Sequence, residues 1–353
     1  MPKRFSVFSY PHHYHCGSFD YAPEYHKRML SSACALDYDD YCVIDTKQIT
    51  KEERTPLEGI LELFSEDGTI INVEIQTLIG SGTGSLAYLA TLNGQVCILK
   101  QFYPEVLSTE GFIHGTSNGI TISSNLFAAL SWRKRKKRFE EAYKQQALLH
   151  SNALVKPFIQ PLQGLYRNSK NYCSIIGSFD GLSWDKHEPY SAEIMLTIIK
   201  EIATCVQSMN KAGFLVVDIK PSNFSVSIDA DSKARVKLID FGSVVKRGNL
   251  FCRRFQYSSE TAPKEYKSTR KKDVGPWSEV YCVVAMLADQ LFGHHKLKHM
   301  TGDLVCLCKP RYKEWVQKHY EIIEAILLQG LAEDYTKRFQ SCDALLTELA
   351  KLP

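Results

Sequence analysis

From about residue 60 onward the hydrophobic positions fall into short runs separated by turn-forming pairs. Ile60 to Leu63 and Ile70 to Val73 flank Asp67-Gly68, which predicts a β-hairpin. The run Ile75 to Ile79 enters a glycine-rich turn, Gly80-Ser81-Gly82-Thr83-Gly84-Ser85, and Leu86 to Ala90 leaves it as a second strand. Asn93-Gly94 then turns the chain into Gln95-Val96-Cys97-Ile98-Leu99-Lys100, an apolar strand closed by a lysine. Beyond Ser131 the pattern becomes helical, through the basic run Lys134 to Arg138 and on to Leu149. Tyr172 to Ile176 predicts one more strand. Ser191 is placed to cap a helix carrying Ile194, Ile198, Ile199, Ile202, Val206 and Met209 on one face, and Lys211 and Gly213 suit its end. Val280 to Ala288, Trp315 to Leu328 and Cys342 to Leu349 predict further helices. Strands early and helices late indicate an α+β chain.

Residues 1–60 lack this regularity and read as an N-terminal extension, either regulatory or a brace. Pro11-His12-His13-Tyr14-His15-Cys16 gathers possible metal ligands without a matching distant pair, so no metal site follows from it. Residues 104–132 read as a glycine- and serine-rich insertion with a hairpin signal at Asn118-Gly119.

A length of 353 residues supplies core for two lobes. The formal net charge of +4 is too small to call for a nucleic-acid partner. No apolar run approaches a membrane span, and Met1-Pro2-Lys3-Arg4 opens no signal-peptide core. The chain therefore reads as cytoplasmic, with export to another cell left open. Eleven cysteines dispersed in apolar surroundings, as at Cys42, Cys97 and Cys282, read as buried thiols and not as a disulfide framework.

The chemistry concentrates between residues 214 and 242. Asp218, Lys220 and Asn223 stand between the apolar runs Phe214 to Val217 and Phe224 to Val226, and Asp240-Phe241-Gly242 follows a second apolar strand. One carboxylate can orient a hydroxyl, the lysine can meet phosphate charge, and an amide with a second carboxylate can hold divalent ions. Burying four such polar groups by chance would be expensive.

This stretch resembles the catalytic loop and metal-binding motif of the eukaryotic-type protein kinase family, with Leu99-Lys100-Gln101-Phe102-Tyr103-Pro104-Glu105 resembling a bacterial serine/threonine branch. The resemblance spans about residues 74 to 350 and implies a bilobal protein-kinase-like fold. Its parts would be the extension 1–60, a small lobe and hinge over 61–180 with the insertion 104–132, and a helical large lobe over 181–353. It implies ATP held by Gly80, Gly82, Gly84, Ser85 and Lys100, with Mg2+ (Mn2+ as an alternative) on Asn223 and Asp240. Asp218 would orient the acceptor hydroxyl, Lys220 would steady the transferred group, and Glu141 would pair with Lys100. Glu265 would pair with Arg338, and the hinge would run through Tyr172 to Gly181. The implied acceptor is a serine or threonine of a protein substrate, and a regulatory partner could engage the extension or the basic helix. A nucleotide-binding scaffold without catalysis and a small-molecule kinase of related fold are the alternatives. The chain departs from the family pattern in several places: Val216-Val217 replace His-Arg, Ser85 replaces the third glycine, Ala87 a valine and Glu279 a structural aspartate, the acidic residue before the hinge is absent, and Glu265 is displaced by one.

Overall fold

The computed structural model describes residues 59–81, 85–102, 113–116, 119–122, 126–167, 173–178, 181–231, 233–248, 257, 262–267, 273–293 and 303–353. The extension 1–58, the tip of the glycine-rich turn and most of the 103–125 segment lie outside these residues, as do the hinge positions 179 and 180 and the side chains at the basic start of the long helix. The chain forms two compact units, Met1–Ala147 with Pro161–Phe179, and Leu148–Gln160 with Asp180–Pro353.

The first unit is built on six antiparallel strands: β1 (Gly59–Phe64), β2 (Ile70–Ser81), β3 (Ser85–Leu92), β4 (Gln95–Phe102), β7 (Leu162–Arg167) and β8 (Cys173–Ser178). A separate hairpin, β5 (Ile113–Thr116) with β6 (Gly119–Ile122), stands where Asn118-Gly119 predicts one. The sheet order is β1-β2-β3-β4-β8-β7, and the sheet curls until β1 and β7 pair at Phe64 and Arg167. Both predicted hairpin turns have the backbone that their sequences favour. Gly68 has φ 85, and Asn93 and Gly94 have φ 51 and 76, the paired positive angles of a tight two-residue hairpin. Alternation then decides the inner face, which takes Leu61, Leu63, Val73, Ile75, Tyr88, Ala90, Cys97 and Leu99.

Helix α1 (Leu126–His150) belongs to the first unit up to Ala147. It starts five residues before the expected Ser131, so the insertion ends earlier than its serine content suggests; Leu126-Phe127-Ala128-Ala129-Leu130 are residues that favour a helix or tolerate one. Phe139 turns inward from α1, with its ring centroid 5.5 Å from that of Phe102 on β4.

In the second unit, α2 (Ala192–Lys211) packs on α3 (Pro276–Phe292), on α5 (Cys342–Leu349) and on β11 (Ala234–Leu238). Ser191 caps α2 by accepting from the Ile194 amide at 3.3 Å, and Gly213 beyond its end has φ 87. The segment Leu148–Gln160 belongs to this unit. Val155 and Ile159 are fully buried, and the Gln160 amide donates to Leu238 O at 3.3 Å, so β11 captures it. The single helix expected over Trp315 to Leu328 is two pieces, Lys313–Lys318 and α4 (Tyr320–Gly330). His319, at φ −117 and ψ 23, leaves the helical region and its amide closes the first piece on Trp315 O and Val316 O. Among the described residues no helix is long and apolar enough to cross a membrane.

At the contact between α3 and α4, Gly330 admits no side chain. A Cβ there would lie 2.6 Å from Val284 Cγ2 and 2.9 Å from Cγ1, and Val284 is itself buried. Gly330→Ala should therefore destabilise the second unit by about 1–3 kcal/mol, the range for overpacking a filled core. A urea titration with an unchanged midpoint would rule out this close approach.

Candidate functional site

The site grows from the end of α2. After Gly213 the chain forms β9 (Phe214–Leu215), which pairs with β12 (Val245–Lys246). A short loop carries Val216 to Lys220 into a single 3-10 turn over Pro221–Asn223. β10 (Phe224–Ile228) then pairs antiparallel with β11, in a register that sets Phe224 opposite Leu238. The next rung continues that ladder, because the Ile239 amide donates to Asn223 O at 3.0 Å. The hairpin thus returns Asp240 to the end of the ladder where Asn223 stands, which no local feature of either segment could arrange alone.

Within the loop, Lys220 Nζ lies 2.8 Å from Asp218 Oδ2. Asn223 Nδ2 donates to Asp218 O at 2.8 Å and to Asp218 Oδ2 at 3.2 Å. Asp218 and Asn223 are buried while Lys220 is half-buried, so the cation closes the solvent side of the pair. Asp240 Oδ1 accepts from the Gly242 amide at 2.9 Å, which fixes the carboxylate at the turn after β11. Phe241 is buried beside it.

Behind the loop stands Glu279 on α3, fully buried. Its Oε1 accepts from the Val216 amide at 2.5 Å and the Val217 amide at 3.4 Å, and its Oε2 accepts from Asn210 Nδ2 at 2.5 Å. The longer side chain thus does reach the loop backbone. Val217 has φ 64, a conformation that a β-branched residue adopts only under constraint. Such strain costs on the order of 1–3 kcal/mol and persists where surrounding contacts hold it, here immediately before Asp218. Val216 and Val217 are both about 1 % exposed, so this stretch is packed and apolar.

A second buried polar cluster braces the same unit. Arg338 Nη1 pairs with Glu265 Oε1 at 2.6 Å, Ser278 Oγ donates to the same oxygen at 2.7 Å, and the guanidinium lies 4.7 Å from the Tyr281 ring centroid.

In the first unit, Gly80 lies in β2 opposite Ala87, and Ser85 opens β3 opposite Phe102. Gly82 and Gly84 fall outside the described residues. Lys100 is half-buried on β4, between Ala87 of β3 and Ile175 of β8. Glu141 is exposed on α1. The phase of α1 explains this. Phe139 points to the sheet, so residue 141, two steps of about 100° further round, points away, whereas Glu140 is half-buried.

Asn210, Ser278 and Tyr281 are partners that the sequence reading passes over. Asn210 carried a signal: it is a polar residue on the buried face of α2, beside Val206 and Met209. Among the described residues no group of three or more His, Cys, Asp and Glu is arranged to hold a metal ion. No protein-family model matches the chain.

Proposed function

We propose that the chain transfers the terminal phosphoryl group of ATP to a serine or threonine hydroxyl of a protein, on a bilobal protein-kinase-like scaffold. The observation that carries this reading is the Asp218–Lys220–Asn223 cluster, delivered by the β10–β11 hairpin to the same ladder end as Asp240. In the transfer, the acceptor oxygen forms a bond to the γ-phosphorus, the bond from that phosphorus to the bridging oxygen of ADP breaks, and Asp218 receives the hydroxyl proton. Lys220, beside Asp218, meets charge on the transferred group. The amide oxygen of Asn223 and the carboxylate of Asp240 are hard oxygen donors. A small set of this kind suits Mg2+, which keeps several waters and takes phosphate oxygens to complete its shell. Mn2+ would fit the same donors. On the first unit, Lys100, Gly80 and Ser85 are the proposed nucleotide contacts, together with Gly82 and Gly84.

A second reading, a nucleotide-binding scaffold, draws on the apolar Val216-Val217 in front of Asp218 and on the exposed position of Glu141. One experiment separates the readings: purified protein is incubated with radiolabelled ATP, Mg2+ or Mn2+, and mixed proteins and small metabolites, and the labelled products are resolved. Label on protein hydroxyls supports the first reading, and label only on metabolites moves the acceptor class. ATP binding with no transfer favours the scaffold. Asp240→Asn changes ligand charge with little change in volume. It should abolish metal-dependent transfer in a protein that melts as the wild type does, and turnover retained in that variant would reject the metal role.

A further inference from the structure

Glu279 does more than fill space behind the loop. Both of its oxygens are engaged by donors that shape the backbone on either side of Leu215, and no water-exposed surface relieves the charge. Resting on the reading above for what the loop does, we propose that Glu279 is a positioning residue whose protonation gates the loop: the carboxylate holds Val216 to Asp218 in the transfer-ready form, and the neutral acid releases it.

The geometry carries this in two ways. As a carboxylate, Glu279 accepts three hydrogen bonds at once, and such charge-assisted bonds are about twice as strong as neutral ones. A proton on one oxygen turns that oxygen into a donor and weakens the grip on a backbone already constrained at Val217, φ 64. The proton also needs an acceptor. Asn210 Oδ1 is buried with no hydrogen-bond partner among the described residues, and it belongs to the side chain that now donates to Oε2. Turning that amide over presents its oxygen to the protonated acid and gives up the 3.1 Å bond from Nδ2 to Phe214 O, at the entrance to the loop. One protonation thus loosens both anchors.

The surroundings place the event near neutrality. Cys205 faces Glu279 from α2, Cys342 from α5, Cys282 from α3 itself and Tyr266 from the helical turn Lys264–Lys267; burial pushes the ionisation of all four upward, so they stay neutral. Glu265 and Arg338 are engaged with each other. Burial is the largest influence on Glu279 and raises its pKa from 4.5 to about 7, against the hydrogen bonds from Asn210, Val216 and Val217 and the charge of Arg247, which lower it.

Two effects of opposite sign follow. A folded pKa above the unfolded one means that the native chain takes up a proton the unfolded chain lacks as pH falls from about 7 toward 4.5. The contribution of Glu279 to global stability is therefore fully present below 4.5 and is lost as pH rises through about 7. The loop should loosen as pH falls through about 7, while that contribution grows, which distinguishes a gate from ordinary acid unfolding.

The test is amide hydrogen exchange on the full chain, followed by mass spectrometry of peptides spanning Asn210 to Lys220 at pH values on both sides of about 7 and corrected for intrinsic exchange. Wild type should lose loop protection by roughly fivefold over the pH unit above the midpoint and level off below it, as the protonated fraction rises from about a tenth through a half toward one. Glu279→Gln, neutral and of the same shape, should be flat at the lower protection, and its melting temperature relative to wild type should drop on acidification. A flat wild-type profile, or a step that survives in Glu279→Gln, overturns the proposal. If that variant does not fold, the carboxyl carbon resonance of Glu279 in wild type replaces it: a titration midpoint coincident with the exchange step supports the gate, and separate midpoints overturn it. The readout needs neither ATP nor acceptor. A protein that shows the step without phosphoryl transfer loses the enzyme reading and the catalytic meaning of the gate, but keeps the coupling; transfer without the step removes the gate alone.

Discussion

Asp218→Asn should bind ATP with magnesium about as tightly as wild type and transfer phosphate roughly two to four orders of magnitude more slowly, the usual scale for a positioned acid or base. The substitution keeps the volume and leaves an oxygen that can face Lys220 Nζ, now 2.8 Å from Oδ2, so the loop should hold its shape. Asn223 keeps its 2.8 Å bond to the main-chain oxygen of residue 218, which does not depend on the side chain. What is lost is the negative charge that, on the proposed reading, orients the hydroxyl and receives its proton. A loss nearer the lower limit would mean that Asp218 acts mostly by orientation, since electrostatic positioning carries much of phosphoryl transfer. Nucleotide affinity and single-turnover transfer should be measured on the same folded preparations with the acceptor found in the labelling experiment. Equal transfer by variant and wild type would remove Asp218 from catalysis.

Arg338→Met should cost about 3–5 kcal/mol, the range for breaking a buried ion pair by removing one partner. Arg338 is 2 % exposed and Glu265 4 %, so the remaining carboxylate has no solvent to turn to. The change also removes the Arg338 Nε bond to Ala332 O at 2.7 Å and the contact with the Tyr281 ring. Much of the loss belongs to the stranded charge and less to the pair itself. The double variant Glu265→Gln/Arg338→Met should accordingly recover a substantial part of it, and the recovery measures the coupling. Trp277 is a convenient reporter of urea unfolding because its ring stacks on Tyr335, at 5.7 Å and 20°, three residues from Arg338. A single-variant loss under about 1 kcal/mol would contradict a buried, desolvated pair.

The pair illustrates how far sequence reasoning reaches. Glu265 and Arg338 are named from motif positions, and the fold brings them together across 73 residues. The same reasoning applied to Glu141 names a residue on the exposed side of its helix, because one position along a helix rotates a side chain by about 100° and no local signal fixes the phase to that accuracy. Phe139 against Phe102 sets it instead.

What the sequence by itself determined is local. The turns at Asp67-Gly68 and Asn93-Gly94, the Ser191 cap and the Gly213 terminus each rest on the preferences of neighbouring residues, and alternation along the strands chooses the inner face of the sheet. The same holds for the crowding of Asp218, Lys220 and Asn223 within six residues. Tertiary structure alone decided the rest. It curled the sheet until Phe64 met Arg167, drew Leu148–Gln160 onto β11, and brought Asp240 to the ladder end at Asn223. It also set Glu279, 63 residues along the chain from Val216, under a backbone held at φ 64. These outcomes depend on the register of a hairpin and on the packing of α3 against α2. A shift of one residue or of one ångström there would change which polar groups meet, while the turns and caps written into the sequence would stay as they are.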